Sequence, residues 1–484
     1  MNQLSEKYEA VIGLEVHAQL LTESKIFCGC STKFGNPPNT NVCPVCLGHP
    51  GVLPVLNKKA VEFTLLMGLA ANCRINERSI LARKNYFYPD LPKGFQISQY
   101  EFPLCVDGFL IIDSNELKKR IGIKRIHIEE DAGKSIHDVG FETRVDLNRC
   151  GVPLIEIVSE PDIDNAKEAS LYLNKIRQIV QYLEICDGNM EEGSLRCDAN
   201  ISVRLKGTER LGTKTEVKNM NSFKNVEKAI NYELERQIGI LKDGGVIIQE
   251  TLLWNADLNE SFSMRSKEEA HDYRYFPEPD LLPLVVNDEW KNQILKKLPE
   301  LPDAKKERFI NKFNLPEYDA DILTQDKEIA DYFEEVITFT INYKAASNWV
   351  MGEVLKIINE QKIEIAKFPI SPENLGKLIK LIDENVISGK IAKDVFAFML
   401  EENKDPERII HEKDLVQITN TSEIESVIDK ILGSHQQEVK QFIEGKEKVI
   451  GFFVGQVMKE TKGKANPKLV NELLKEKLET IKKN

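Results

Sequence analysis

Residues 11–20, VIGLEVHAQL, set Glu15 and His17 two positions apart among Ile12, Leu14, Val16, Ala18 and Leu20. Strand side chains alternate between faces, so this is a strand with one apolar face and one that carries a carboxylate and an imidazole. Four more stretches repeat the pattern. In KRIHIEED, Ile126 and Ile128 alternate with His127 and Glu129, and Glu130 and Asp131 follow. In GVPLIEIVSE, Glu156 shares a row with Val152, Leu154 and Val158. In SLRCDANISVRL, an apolar row faces away from Ser194, Arg196, Asp198, Asn200, Ser202 and Arg204. TKTEVKNMNSF sets Lys214, Glu216 and Lys218 on one face.

A sheet with one wet side looks much like this. Two details point further. Wet faces favour Thr, Lys and Glu, whereas these carry Asn, Asp, Arg, His and Ser. Glu15 and Glu156 also lie in apolar runs, where a carboxylate needs a partner. Carboxylates and one histidine on adjacent strands suit Mg²⁺, which prefers oxygen ligands and retains water. Basic groups beside them suit phosphate oxygens. The Pro- and Gly-punctuated segment ARKNYFYPDLPKGFQISQYEFPL adds Lys84, Tyr86 and Lys93, in the kind of loop where function concentrates.

A second constellation is CGCSTKFGNPPNTNVCPVC, with Cys28, Cys30, Cys43 and Cys46. Two chelating cysteine pairs on tight turns match a tetrahedral Zn²⁺ knuckle. Four protein ligands leave no open position, so the expected role is structural. The other five cysteines are isolated in the sequence and expected to be buried. MNQLSEKYEA has no basic stretch before an apolar core, so no secretory signal is expected. Nine cysteines in such a chain do not make a disulfide framework.

The elements that must position these groups follow from periodicity. The first ~280 residues alternate strand-like runs with turns. Helices are predicted in SLYLNKIRQIVQYLEICDG, with Gly188 as a stop, and in KNVEKAINYELERQIGILKDGG, ending at Gly244 and Gly245. From about residue 295 the chain becomes helical and Lys/Glu-rich. The expected parts are a catalytic sheet domain over 1–295 with the knuckle at 28–46, a helical domain over 296–405, and a helical tail over 406–484. From Lys446 onward ten Lys face five Glu, against a whole-chain net charge of −12. On charge alone this is a solvated helix face. No run of 18 apolar residues occurs, so no membrane helix is expected, and the location is cytoplasmic by default.

Several nucleotide motifs are absent. Gly133-Lys134-Ser135 resembles the end of a phosphate loop, but Ile128 stands where its first glycine belongs. No GxGxxG or GxSxG occurs, which argues against a dinucleotide fold and a serine-hydrolase elbow. If ATP is used, it is held on a sheet through metal-bridged phosphates.

VIGLEVHAQL, CPVCLGHPGVLPVLN, RKNYFYPDLPKGFQISQY, IHIEEDAGKS, DLNRCGVPLIEIVSEPD, EEGSLRCDANISVR, TEVKNMNSF and RSKEEAHDYRYFPEPDL together resemble the GatB family. Its members are components of aspartyl/glutamyl-tRNA(Asn/Gln) amidotransferases. GFFVGQVMKETKGKANPKLVNELL resembles the family's GatB/YqeY-type C-terminal module. The likeness runs from about residue 8 to the end. It implies an α+β chain: an antiparallel β-sheet cradle similar to glutamine synthetase, an all-α domain, and a helical tail that contacts tRNA. It implies that ATP phosphorylates the side-chain carboxylate of Glu-tRNA(Gln) or Asp-tRNA(Asn). Ammonia from a separate amidase subunit, GatA, then displaces phosphate, and a small subunit, GatC, completes a heterotrimer. On this likeness the Lys-rich tail takes the tRNA-binding reading.

Carried over residue by residue, Glu15, His17 and Glu130 are the expected catalytic metal ligands. Glu129, Glu156 and Asp198 are further Mg²⁺ candidates. Lys84, Tyr86, Lys93, Arg196, Asn200, Arg204 and Lys218 are expected to hold ATP phosphates or the substrate carboxylate, undivided between the two. Zinc at Cys28, Cys30, Cys43 and Cys46 rests on spacing. Two competing readings are a metal-dependent phosphohydrolase and a non-catalytic tRNA-binding scaffold.

Overall fold

The computed structural model describes residues 7–114, 117–136, 142–266, 273–418, 420–461 and 463–483. Residues 267–272 of the RSKEEAHDYRYFPEPDL stretch, and Lys462 and Asn484 of the Lys-rich tail, lie outside them. The chain forms two compact units, Met1–Pro302 and Asp303–Asn484.

In the first unit the strands are β1 (Tyr8–Gln19), β2 (Arg74–Ile75), β3 (Arg78–Ser79), β4 (Ala82–Asn85), β5 (Phe95–Ser98), β6 (Cys105–Ser114), β7 (Leu117–Glu130) and β8 (Lys134–Ile136). They continue with β9 (Arg144–Asp146), β10 (Pro153–Ser159), β11 (Leu195–Leu205), β12 (Thr215–Lys218), β13 (Glu250–Asn255), β14 (Glu260–Ser266), β15 (Phe276–Pro277) and β16 (Leu284–Val285). Nine of them make one sheet in the order β14-β13-β12-β11-β1-β10-β7-β6-β2. Its neighbours are antiparallel except for β12 and β13, which are parallel. The antiparallel expectation is therefore corrected to a mixed sheet. The cause is local: a 20-residue helix connects these two strands, and a parallel pair needs such a crossover.

Three helices matter to the sheet: α1 (Lys58–Ala70), α2 (Ala166–Tyr182) and α3 (Phe223–Lys242). Each starts at a side-chain cap, Asn57, Asn165 or Ser222, whose oxygen accepts a first-turn N–H. Helix α3 ends before Gly244 at φ +77°, as its sequence predicts. Helix α2 stops at Tyr182, short of Gly188; Glu184 at φ +55° already turns the chain. Leu173, Ile176 and Val180 of α2 share one core with Ile12, Leu14 and Val16 of β1. Each such burial stabilises by roughly 1.5–3 kcal/mol. That core fixes which sheet face is apolar and so commits Glu15 and His17 to the other.

The phosphate-loop lookalike is structural. Lys134 and Ser135 belong to β8, which pairs with β9. Gly133 donates its N–H to the Asp90 carbonyl at 2.8 Å. A Cβ there would lie 2.9 Å from the carbonyl oxygens of both Asp90 and Asp146, so the close approach requires glycine.

The second unit is helical among its described residues and has two hydrophobic cores, one over 309–410 and one over 424–478. No described helix is long and apolar enough to cross a membrane.

Candidate active site on the charged sheet face

Strand register builds the site. His17 of β1 stands opposite Glu156 of β10 on one side and Arg196 of β11 on the other. Glu156 in turn faces His127 of β7, and Glu15 faces Asp198 of β11. The ladder thus gathers side chains more than 100 residues apart into one patch. His17 Nε2 lies 3.6 Å from Glu15, 3.8 Å from Glu129 and 3.5 Å from Glu156. His127 Nε2 lies 3.8 Å from Glu129 and 3.5 Å from Glu156. Glu129, Glu156 and His127 are buried.

Two ligand sets share His17: Glu15–His17–Asp198 and His17–Glu129–Glu156. Within each, one donor atom per residue lies within 4.8 Å of the others. Carboxylate oxygens with one imidazole are a donor set that Mg²⁺ accepts. The electrostatics agree. Burial, with Glu156 close by, raises the Glu15 carboxyl above its ordinary range. Burial opposes charge on His17, but Glu156, Glu15 and Glu129 outweigh it and push the imidazole up to about 9. Burial also opposes charge on Glu156, yet His127 and His17 hold it well below the usual carboxylate range. Three carboxylates within 4 Å of one imidazole leave an excess of negative charge, which a divalent cation would neutralise.

Cations rim the patch. Lys218 Nζ is 2.5 Å from Asp198 and 3.0 Å from Glu216. Burial disfavours its charge, but Asp198 and Glu216 raise its pKa. Lys84 is likewise raised against burial by Glu129, Tyr275 and Glu156. Arg196 donates to Asp131 at 2.9 Å, and Asp131 also accepts from Gln19 at 2.7 Å. Tyr86 packs edge-on against Tyr273 and donates to Gln96 at 3.1 Å.

Four expected residues do not join. Glu130 is taken by the Lys93 ammonium and by the Ile97 N–H at 2.8 Å. Lys93 and Glu130 instead line a separate cavity of about 190 Å³ beside Cys28 and Cys46. Arg204 pairs with Glu9 at 2.5 Å, and eight residues of strand separate Glu9 from His17, roughly 26 Å. Asn200 sits opposite Gly13 and accepts from Lys214 at 3.0 Å. Strand parity explains the first case. Arg125, His127, Glu129 and Asp131 have one parity, and Glu130 has the other. Parity also adds residues that are not among the sequence-predicted site residues: His127 and Asp131, which the strand pattern contains without a role, and Arg125 at 3.4 Å from Glu156.

The cysteines converge as their spacing predicts. The four sulfurs lie within 4.8 Å of one another, and Cys43 and Cys46 are 4.0 Å apart. Zn–S bonds of about 2.3 Å in a tetrahedron give sulfur separations of about 3.8 Å, so the set fits zinc. A hydrogen bond from Cys28 lowers the Cys46 thiol to about 4, with help from Lys25, whose Nζ is 3.7 Å away. The remaining five cysteines are buried. The loop between the cysteine pairs is tied to the Asp146–Asn148 turn: the Asn39 side chain donates to the Val145 carbonyl at 2.9 Å, and the Asn41 N–H donates to the Asn148 side chain at 2.7 Å. The next residue, Arg149, lies 3.7 Å from Asp131.

Fold and site together define an α+β protein that carries an acidic, cation-ready sheet face without a phosphate loop. Comparison with known proteins makes this specific. Residues 10–292 match the family model described as the GatB/GatE catalytic domain, and residues 331–478 match the one described as the GatB domain. A relative from Chlorobium phaeobacteroides is 59% identical over 98% of this chain and 99% of its own. One from Thermodesulfovibrio yellowstonii is 59% identical over 97% of this chain and 98% of its own, and one from Caldicellulosiruptor bescii is 58% identical over 98% and 100%. All three are named as the B component of aspartyl/glutamyl-tRNA(Asn/Gln) amidotransferase. The chain belongs to the GatB/GatE family.

Proposed function

We propose that this chain is the component of a tRNA-dependent amidotransferase that activates and amidates the side chain of Glu-tRNA(Gln), Asp-tRNA(Asn), or both. The observation that carries the reading is the pair of ligand sets sharing His17 on the charged face. A carboxylate is a poor acyl donor because oxide would have to leave, so it must first be phosphorylated. The substrate carboxylate attacks the γ-phosphorus of ATP, an O–P bond forms, and ADP departs. Ammonia then adds to the acyl carbon, loses one proton, and phosphate leaves with the C–O bond electrons, giving the amide.

Glu15, His17, Glu129, Glu156 and Asp198 would hold Mg²⁺, which when bound neutralises charge on phosphate oxygens. Lys84, Lys218 and Arg196 rim the patch and hold the negative charge of the phosphates and of the attacking carboxylate. Asp131 fixes Arg196 in place. Cys28, Cys30, Cys43 and Cys46 hold a structural zinc that fastens the 146–149 turn and, through it, Arg149 beside Asp131. The sheet unit then corresponds to a glutamine-synthetase-like cradle. The cores over 309–410 and 424–478 correspond to a helical domain and a tRNA-binding tail. GatA and GatC are the partners that family membership suggests, and translation substrates place the work in the cytoplasm.

The test is reconstitution with the amidase and small subunits. The complex should convert Glu-tRNA(Gln) to Gln-tRNA(Gln) with ATP and glutamine, and Glu15→Ala should abolish conversion at unchanged tRNA affinity. Full conversion by Glu15→Ala would fit a scaffold instead.

A further inference from the structure

We infer that the cysteine cluster is a peroxide-sensitive switch: oxidation of Cys43 and Cys46 to a disulfide releases the zinc, and the buried Lys25 passes that loss on to the charged sheet face. This rests on the zinc reading above and adds a regulation to it. Cys43 and Cys46 form a C-x-x-C turn with sulfurs 4.0 Å apart, and the Cys43 N–H donates to Cys46 Sγ at 3.2 Å. A redox-sensing cysteine is open to solvent and stands beside a resolving one. Cys43 is partly exposed and Cys46 is buried, whereas the five cysteines outside the cluster are all buried. The cavity of about 190 Å³ lined by Lys25, Cys28 and Cys46 reaches the cluster from its inner side, with room for a molecule little larger than water.

The Cys43 thiolate attacks one peroxide oxygen. An S–O bond forms, the O–O bond breaks and hydroxide leaves. The Cys46 thiolate then attacks the Cys43 sulfur, the S–S bond forms, and a second hydroxide leaves with the S–O electrons. Two thiolates are oxidised, peroxide is reduced, and two protons from solvent complete two waters. Two free sulfurs remain, too few to hold a tetrahedral Zn²⁺.

Lys25 carries the change inward. It is 1% exposed, and its ammonium touches Cys46 Sγ at 3.7 Å and the Leu147 carbonyl at 3.4 Å. No carboxylate pairs with it among the described residues. Four thiolates outweigh one Zn²⁺, so the intact cluster is the counter-charge of Lys25. A disulfide sulfur is neutral and leaves the ammonium buried without a partner, which is strongly unfavourable. Lys25 then moves and releases Leu147. That residue belongs to the turn that ends at Arg149, 3.7 Å from Asp131, and Asp131 holds Arg196 at 2.9 Å.

The experiment uses the chain assembled with the proposed amidase and small subunits and purified with its zinc. Hydrogen peroxide is added, and released zinc is read with a chromogenic chelator. Disulfides are mapped by peptide mass, hydrogen exchange is followed at residues 147–149, and turnover on Glu-tRNA(Gln) is measured in parallel. Zinc should leave in step with a Cys43–Cys46 disulfide, and exchange at 147–149 should rise. Turnover should fall roughly 10-fold with tRNA affinity unchanged. A dithiol reductant with Zn²⁺ should restore turnover, and the reductant alone should not. Lys25→Met has no charge to strand, so its oxidised form should lose far less of its own starting turnover and show a smaller rise in exchange. Zinc retained at a peroxide excess that oxidises a free thiol overturns the inference. So does zinc release that changes neither exchange nor turnover, or an equal response in Lys25→Met. A complex that holds no zinc when purified overturns the zinc reading and the inference with it. Zinc release and exchange need no turnover, so a complex that shows both but amidates no tRNA counts against the proposed function alone.

Discussion

The charged sheet face and the cysteine cluster each draw ligand atoms into a space a few ångström across, by opposite means. On the face, donors come from β1, β7, β10 and β11, and the ladder register aligns them. In the cluster, donors come from two short pairs on loops. The face offers oxygens and an imidazole and keeps Glu15 partly open to solvent. The cluster offers four sulfurs, as many donors as a tetrahedral ion takes. A site assembled from distant strands and left open suits ligands that come and go. A site assembled from local pairs and closed suits a resident ion.

The largest effect should come from the face. Glu156→Gln keeps the volume and removes the charge that holds both His17 and His127. Turnover should fall roughly 100- to 1000-fold, with tRNA affinity within about twofold. Single-turnover assays and filter binding would check this; equal losses in both would mean that Glu156 serves folding. Next comes the cluster. Cys43→Ser should eliminate zinc from the purified chain and lower its melting midpoint by several degrees. Its turnover should fall far less than in Glu156→Gln. Zinc retained after this change would remove the cluster's side of the comparison.

The third test uses pH. His17 is raised from 6.5 to about 9 in the folded chain. A raised folded pKa stabilises fully below the unfolded value and is lost as pH climbs through the folded one. The metal-free chain should therefore lose stability from about pH 6.5 to 9, and His17→Gln should lack that component. Urea melts across this range would show it. Fourth, Lys25 is buried with its ammonium against Cys46. Lys25→Met should speed zinc loss to a chelator roughly 10- to 100-fold, whereas Lys25→Arg should lose zinc more slowly than Lys25→Met. The smallest effect belongs to Arg204→Ala. Its partner Glu9 is far from the cluster and both are partly exposed, so stability should change by about 0–1 kcal/mol and turnover should not change.

The two regions were legible to different degrees for the same reason that they differ in build. Cys28, Cys30, Cys43 and Cys46 announce themselves because local spacing is geometry. The faces of β1, β7, β10 and β11 were legible from alternation, and the existence of α2 and α3 and the Gly244 end of α3 from helical period and a glycine stop, whereas α2 stops at Tyr182, short of Gly188. Alternation gives a face but no neighbours, so it could not say that His17 stands between Glu156 and Arg196. Nor could it separate Arg204, at the far end of β11, from Arg196. Glu130 was a failure of parity: it follows Glu129 in the sequence but faces the other way. The parallel β12–β13 pair was hidden because strand direction depends on where α3 packs, which no single stretch records. Tyr273 and Tyr275 were hidden because they meet Tyr86 and Tyr100 only through contacts between residues 187 and 175 positions apart.

The most direct measurement mixes the chain and the proposed amidase subunit with Glu-tRNA(Gln), Mg²⁺ and γ-labelled ATP, without glutamine or ammonia, under rapid acid quench. The account predicts label on the aminoacyl group, dependent on charged tRNA and missing in Glu156→Gln. ATP hydrolysis indifferent to the aminoacyl group, with no labelled intermediate, would contradict it.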